Sequence, residues 1–384
     1  MKIAIQTIVD YNNYGNRLQN YALQKILENR DYEVVTLRNN FSNPYLSNAQ
    51  PNNKIVKVLS SVKDGSFINK LSSRFGRKYK LISKYQSKRL EIFKGFSMEY
   101  IRESSDIYNE KLQNSDELKK FDAFIIGSDQ VWNYSFRRFS EFDFLPLVNQ
   151  PKISYAASFG VDTIPKNMKE IYSKNLSTLD YISVREDKGK DIIHELVPDK
   201  PAKVVLDPTL MLDKQEWREL IQDRKVYTDK FVLTYFLDEP TTENQKYISK
   251  IAKGNNLEVK KLANVFDEEL WLADPAEFVN LFSQAEIVFT DSFHACVFSI
   301  IFEKYFEIFE RNTKMKSMNS RIDTLMSNLH TGNRWHRGNS NLLELPDYHV
   351  INQYLEEQRK ESYDFLESSL TECKKKLKVV DQDV

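Results

Sequence analysis

The sequence predicts two doubly wound, Rossmann-like α/β halves with a basic helical insertion and a C-terminal helix. Three observations carry this. Short apolar runs alternate with helical periodicity, several runs are apolar on both faces, and the same alternation restarts after Asp207 and Pro208. Strands apolar on both faces belong to parallel sheets covered by helices on each side. The length of 384 residues suits two or three domains of about 150 residues. The expected division is 1–207 for the first half, with the insertion at about 54–102. The second half is expected at 208–345, and the final helix and tail at 346–384.

Taken in order, residues 2–9 form the first strand candidate, followed by a polar loop through Asn16. A helix comes next, with Leu18, Tyr21, Ala22, Leu23, Ile26 and Leu27 on its apolar face. Strand candidates continue at 33–37, 122–126, 152–156, 181–184 and 203–206. After a junction near 208–228, strands are expected at 231–237, 257–262, 286–290 and 305–309. Helices are expected between them, near 242–253, 275–284 and 293–303. The last helix, about 349–378, is amphipathic with a heavily charged, solvated outer face.

Composition removes several classes of function. Glycine is scarce: there are ten, no two closer than six residues apart. That spacing excludes both a GxGxxG dinucleotide loop and a GxxxxGK phosphate loop. Equal numbers of basic and acidic residues, 55 each, argue against a nucleic-acid partner. Two cysteines, Cys296 and Cys373, make neither a disulfide framework nor a metal-binding spacing, which fits a reducing cytoplasm. The first ten residues read as a strand and not as a signal peptide. The longest apolar stretches fall far short of the ~20 residues that cross a bilayer.

Residues 54–102 stand apart, with thirteen basic residues against Asp64, Glu91 and Glu99, a net +10. One reading is a solvated helical insertion. The other is a peripheral contact with the inner face of the membrane, through an anionic lipid headgroup or a lipid diphosphate, at ~1 kcal/mol per basic residue.

Ligands of open α/β sheets gather outside the carboxyl ends of strands, so the residues after each strand are the candidates. After the first strand come Asn12, Asn13, Gly15 and Asn16. Arg17 and Gln19 then open a helix whose free amides suit an anion; an ordinary Asn-capped loop is the alternative. Gly127 lets the chain turn after 124–126, and Ser128, Asp129 and Gln130 follow beside Trp132. Polar groups next to an indole plane suit a sugar, although a capped helix start would look the same. Arg185, with Glu186 beside it, ends another strand and offers a fork for carboxylate or phosphate, or a structural ion pair. Asp291 and Ser292 close a later strand and can cap the next helix. His294 lies in that helix's first turn, where the dipole lowers an imidazole pKa. The other histidines, His194, His330, His336 and His349, form no metal-like pair, and Cys296 reads as core.

Together these pieces resemble the polysaccharide pyruvyl transferase family. The resemblance rests on YGNRLQNYAL (14–23), GSDQVWN (127–133), SYAASFG (154–160), SVRE (183–186), VLDPT (205–209) and TDSFH (290–294), in family order. It implies a fold like the two-domain GT-B glycosyltransferases, with the active site between the halves. It also implies transfer of the enolpyruvyl carbon of phosphoenolpyruvate onto two hydroxyls of one sugar. A cyclic pyruvate ketal of a cell-surface polysaccharide forms and phosphate leaves. Phosphoenolpyruvate is then the donor substrate, with no cofactor and no metal, and the acceptor is a sugar or a lipid-linked oligosaccharide. His294 inherits the acid–base role, with Asp291 beside it. Arg185 inherits the donor, together with Asn16, Arg17 and Ser292, while Ser128, Asp129, Gln130 and Trp132 face the acceptor. Members with the best understood chemistry carry Arg where this chain has Ser292. Either Arg311 or Arg321 fills that place, or the donor differs. A nucleotide-sugar glycosyltransferase and a non-catalytic glycan-binding member are the other readings compatible with such a fold.

Overall fold

The runs that are apolar on both faces form two separate parallel sheets in the computed structural model, which describes residues 1–46, 68–113, 115–311, 320–338 and 344–380. The first sheet contains β1 (Lys2–Gln6), β2 (Glu33–Asn39), β3 (Glu103–Tyr108), β4 (Ala123–Ile126), β5 (Lys152–Ala157), β6 (Tyr181–Val184) and β7 (Ala202–Val204). Their order is β3-β2-β1-β4-β5-β6-β7. The second contains β8 (Phe231–Tyr235), β9 (Glu258–Lys261), β10 (Ile287–Thr290) and β11 (Tyr305–Ile308), in the order β11-β10-β8-β9. Every pairing within both sheets is parallel. Strands β4, β5, β8 and β10 are buried at every position, as helices on both faces require. The chain is therefore two Rossmann-like halves.

Each sheet has a point where the winding reverses, between β1 and β4 in the first and between β8 and β10 in the second. Crevices open at such points, beyond the carboxyl ends of the strands. The helix Tyr14–Glu28 starts at the first of them. Asn13 accepts from the amide of Asn16 at 3.1 Å as its N-cap, and Leu18, Ala22, Leu23, Ile26 and Leu27 form its buried stripe. The opposite side is covered too, because this helix lies against helices Pro208–Met211 and Pro275–Gln284. One hydrophobic core consequently runs through both halves, from Ile5, Leu18 and Ile153 to Phe278, Val288 and Phe298.

One strand escaped the sequence reading. β3 has the sequence ESSDIY, pairs only with β2 at the sheet's edge, and shifts register between Thr36 and Arg38. Its serines and acids have low strand propensity, and only Tyr108 of its six residues is buried, so no apolar run announced it. The final helix, Tyr348–Val380, crosses the junction and returns to the first half, where Lys376 pairs with Asp180. Arg359 donates to the carbonyls of Leu210 and Leu212 (2.7 and 3.0 Å), and Ser362 accepts from the amide of Leu206 at 3.0 Å.

The basic insertion contains the helix Ile68–Tyr100; Lys54, Lys57 and Lys63 lie outside the described residues. Phe93 and Phe96 anchor this helix in the core. Part of its charge turns toward the second half. Lys78 meets Glu239 at 3.0 Å and Lys88 meets Glu268 at 3.3 Å. Such exposed pairs contribute ~0–1 kcal/mol each, so they orient the helix more than they hold it. Buried Arg89 does more, donating to Asn12 Oδ1 at 2.7 Å, to the Tyr14 hydroxyl at 3.0 Å and to the carbonyl of Trp271. Among the described residues no helix is long and apolar enough to cross a membrane.

Candidate active site

The first wall of the site is built where β4, β6 and β7 end. Gly127 has φ +117°, and a Cβ there would come within 2.4 Å of the carbonyl oxygen of Tyr155, so only glycine fits. Asp129 then adopts a left-handed conformation (φ 68°) that an aspartate tolerates at some cost. It is held there by Asn16 Nδ2, 3.2 Å from its Oδ2, and by the amide of Gln130, 2.9 Å from its Oδ1. Arg185, one residue past β6, donates through Nη1 to Asp207 Oδ2 at 2.6 Å, and its Nη2 lies 3.5 Å from Asp129. Asp207 also accepts from Ser128 Oγ (3.0 Å) and from the amide and hydroxyl of Thr209 (3.0 and 2.6 Å). Burial alone would raise its pKa. Arg185, His294 and the Thr209 donors outweigh burial and hold it at about 2. Asp129, buried beside Arg185 and His294, is likewise held below the ordinary carboxylate value.

The second half supplies the opposing wall. Past β10, the Asp291 carboxylate accepts from the amides of Leu237 (2.7 Å) and Asp238 (3.0 Å), which ties down the end of β8. Arg311 donates to the Asp291 carbonyl at 3.0 and 3.2 Å. Ser292 occupies the N-cap position of helix Phe293–Ile301, but its side chain makes no capping bond. His294 follows in the first turn and points across to the first half. Its ring lies so close to Gly15 that a Cβ on that glycine would sit 2.0 Å from Nδ1. Its Nε2 is 3.9 Å from Asp207 Oδ2. Burial, reinforced by Arg185 and Arg321 against Asp207 and Asp129, pushes the imidazole down to about 4, so it is neutral near pH 7.

Three cationic or potentially cationic side chains surround the Phe293 ring. The guanidinium of Arg185 is 4.6 Å from the ring centroid, that of Arg321 is 5.8 Å away, and the His294 ring stands edge-on at 5.2 Å. Arg185 and Arg321 are each 4% exposed, and His294 is 9% exposed. Burial and the neighbouring Arg185 push Arg321 down to about 10. Turned with its oxygen toward Arg321, the Gln130 amide accepts from Nη1 at 3.2 Å and from Nη2 at 3.3 Å. Among the described residues, Arg185 Nε and Nη2, Arg321 Nε and His294 Nε2 are buried with no hydrogen-bond partner. An unmet buried donor costs ~1–3 kcal/mol, more when charged. An anion with several oxygens between these groups would satisfy them together. The arrangement can therefore bind an anion and move a proton beside it.

The structure thus brings together Arg185, Arg321, His294, Asp129 and Gln130, with Asn16 as a brace for Asp129. Five expected site residues need correction. Arg17 is fully buried, but its charge is already used: Nη1 donates to Glu103 at 2.9 Å, Nη2 to the carbonyl of Ile8 and Nε to Asn16. Trp132 offers no face to a sugar, because it is 0% exposed, stacks on Phe144 and donates Nε1 to the carbonyl of Asp143. Ser128 is committed to Ala156 and Asp207. Asp291 spends its carboxylate on the β8 backbone, and Ser292 caps nothing. Sequence reasoning missed two participants. Asp207 stood inside the VLDPT block, yet only the tertiary structure joins it to Arg185 and His294. Phe293 looked like an ordinary helix residue. Among the described residues no group of three or more His, Cys, Asp or Glu could hold a metal ion.

Fold and site define an α/β protein of two Rossmann-like halves that gathers buried arginines and a histidine at their junction. The chain belongs to the polysaccharide pyruvyl transferase family, whose family model matches residues 13–310. No curated protein matches it. Among solved structures, it is similar to UDP-GlcNAc 2-epimerase from Neisseria meningitidis. That match has 12% identity and a TM-score of 0.46, covering 97% of this chain and 100% of that one. ADP-heptose LPS heptosyltransferase II from E. coli gives 11% identity and a TM-score of 0.40, covering 93% and 99%. Likeness at this level carries no information on substrate or reaction.

Proposed function

We propose that the protein transfers the enolpyruvyl group of phosphoenolpyruvate to two hydroxyls of one sugar, forming a pyruvate ketal and releasing phosphate. The observation that carries this reading is the set of unpartnered, buried donors on Arg185, Arg321 and His294 around Phe293. Phosphoenolpyruvate presents a carboxylate and a phosphate, and two rigid guanidinium forks match them. Arg321 stands in for the cation that the family carries at the position of Ser292.

In the reaction, a proton adds to the methylene carbon of phosphoenolpyruvate, which becomes a methyl group and leaves an oxocarbenium-like carbon. A sugar hydroxyl attacks that carbon and gives up its proton. The carbon–oxygen bond to phosphate then breaks with its electron pair on phosphate, and a second hydroxyl completes the ketal, its proton leaving with phosphate. His294 is the proton carrier. Neutral in the empty site, its imidazole gains basicity once a bound anion offsets the two arginines. Asp207 is a positioning residue, holding Arg185 at 2.6 Å and attracting the imidazolium as it forms. The two buried, unpaired thiols of Cys296 and Cys373 support a cytoplasmic setting. The exposed Arg77, Lys80, Lys84 and Lys94 support a peripheral contact with an anionic membrane face.

The test has two parts. Phosphoenolpyruvate binding to the purified protein is titrated by calorimetry, with His294→Ala and Arg185→Ala as comparators. Extracted glycans from cells with and without the protein are compared by mass spectrometry. Binding that is lost in Arg185→Ala, with a pyruvate-sized increment removed by mild acid, is expected. A folded Arg185→Ala protein that binds like the wild type, or identical glycans, would overturn the assignment.

A further inference from the structure

The site described so far lacks a platform for the acceptor, since Trp132 is sealed in the core. A cavity of about 930 Å³ opens at the carboxyl ends of β8 and β9, within the ~300–1,000 Å³ usual for small-molecule sites. We infer that it holds the acceptor saccharide, an assignment that rests on the proposed pyruvyl transfer.

The lining has the chemistry of a sugar site. Phe266 and Trp271 bring aromatic surface, Asp238 and Glu239 carboxylates, and Gln245 and Asn264 side-chain amides. A pyranose has an apolar face of C–H bonds and a rim of hydroxyls. Aromatic rings meet the first, and carboxylates and amides meet the second. The Trp271 indole N–H is buried with no partner among the described residues, so one donor is left to satisfy. Three basic residues, Arg77, Lys78 and Lys261, also line it; Lys78 sits 3.0 Å from Glu239, and the Arg77 guanidinium lies 6.0 Å from the Phe266 ring centroid.

Both walls of the cavity lead to His294. On one side, the amides of Leu237 and Asp238 are bonded to Asp291, three residues before the histidine. On the other, Arg89 joins the carbonyl of Trp271 to Asn12 and Tyr14, next to the glycine on which the imidazole rests. None of the anion-binding groups lines the cavity, so a saccharide seated here leaves Arg185, Arg321 and His294 to the anion.

The experiment uses the full chain and saturation-transfer NMR with the methyl glycosides of glucose, galactose, mannose, N-acetylglucosamine and N-acetylmannosamine. Phe266→Ala removes a ring that is 43% exposed, so the fold should survive; Trp271→Phe keeps a ring but removes the N–H. Transfer to at least one glycoside is expected. Its affinity should fall about tenfold in Phe266→Ala. Phosphoenolpyruvate binding should stay within about twofold in both variants, because neither ring is among the anion-binding groups. No transfer to any glycoside, transfer undiminished in Phe266→Ala, or displacement of the glycoside by UMP would overturn the assignment. Glycoside binding with this variant pattern but no phosphoenolpyruvate binding by the wild type would retire the pyruvyl-transfer reading and leave the saccharide site standing.

Discussion

The segments that follow β1 and β6 each bury an arginine near the carboxyl edge of the same sheet, Arg17 in the first turn of helix Tyr14–Glu28 and Arg185 just past β6, and they use it in opposite ways. Arg17 gives its donors to Glu103, Ile8 and Asn16 and has its pKa lowered, chiefly by burial. Arg185 gives one nitrogen to Asp207 and keeps two donors unmet, while Asp207 and Asp129 outweigh burial and raise its pKa. Burial and position do not separate the two residues; unspent hydrogen-bonding capacity does. The first arginine is a strut, and the second has donors left over for a ligand.

This contrast can be broken or sharpened by substitution. The largest effect is expected from Arg185→Lys, which replaces a fork with a point charge while keeping Asp207 paired. Turnover of phosphoenolpyruvate, read as phosphate release, should fall about 10³-fold. His294→Gln should lower turnover by about 10²-fold or more, and it also has a signature in stability. A ring held down to about 4 when folded but near 6.5 when unfolded stabilises the protein fully above 6.5. That contribution, roughly 3 kcal/mol, is lost as pH falls toward 4, because the unfolded chain takes up the proton. Asp207 loses its own contribution only lower, as pH falls from 3.8 toward about 2. Urea midpoints measured against pH should therefore show two windows in the wild type and only the lower one in His294→Gln. Gly15→Ala comes next. Its methyl would press on the imidazole, costing ~1–3 kcal/mol of stability and about tenfold in turnover. The smallest effect on turnover is expected from Arg17→Lys, within about twofold, with a melting temperature lowered by several degrees. If Arg17→Lys abolished turnover in folded protein as thoroughly as Arg185→Lys, the distinction would collapse.

Much of the fold was legible because buried parallel strands have a strong signal. Phe124, Ile125 and Ile126 cannot belong to a half-exposed strand, and the run from Phe231 to Tyr235 reads the same way. β3 carried no such signal, and the cost extended beyond one strand. Glu103, which neutralises Arg17, lies at its start, so missing the strand left Arg17 looking available. The candidate site was legible where place after a strand decides position, as for Arg185, Asp129 and His294. It was illegible where orientation decides. Trp132 follows a polar loop, but its ring turns inward onto Phe144. Asp207 acts across three segments that meet only in the folded chain.

The contact between Gly15 and His294 also constrains inheritance. The His294 ring belongs to one half, and the bare backbone that admits it belongs to the other. Neither half can be exchanged alone for that of a distant relative unless the newcomer brings a matching ring or a matching gap. A chimera that joined this first half to a foreign second half would be judged at one position, by whether its imidazole finds room above a glycine. The two halves are therefore expected to descend together, coupled by the space of a single methyl group.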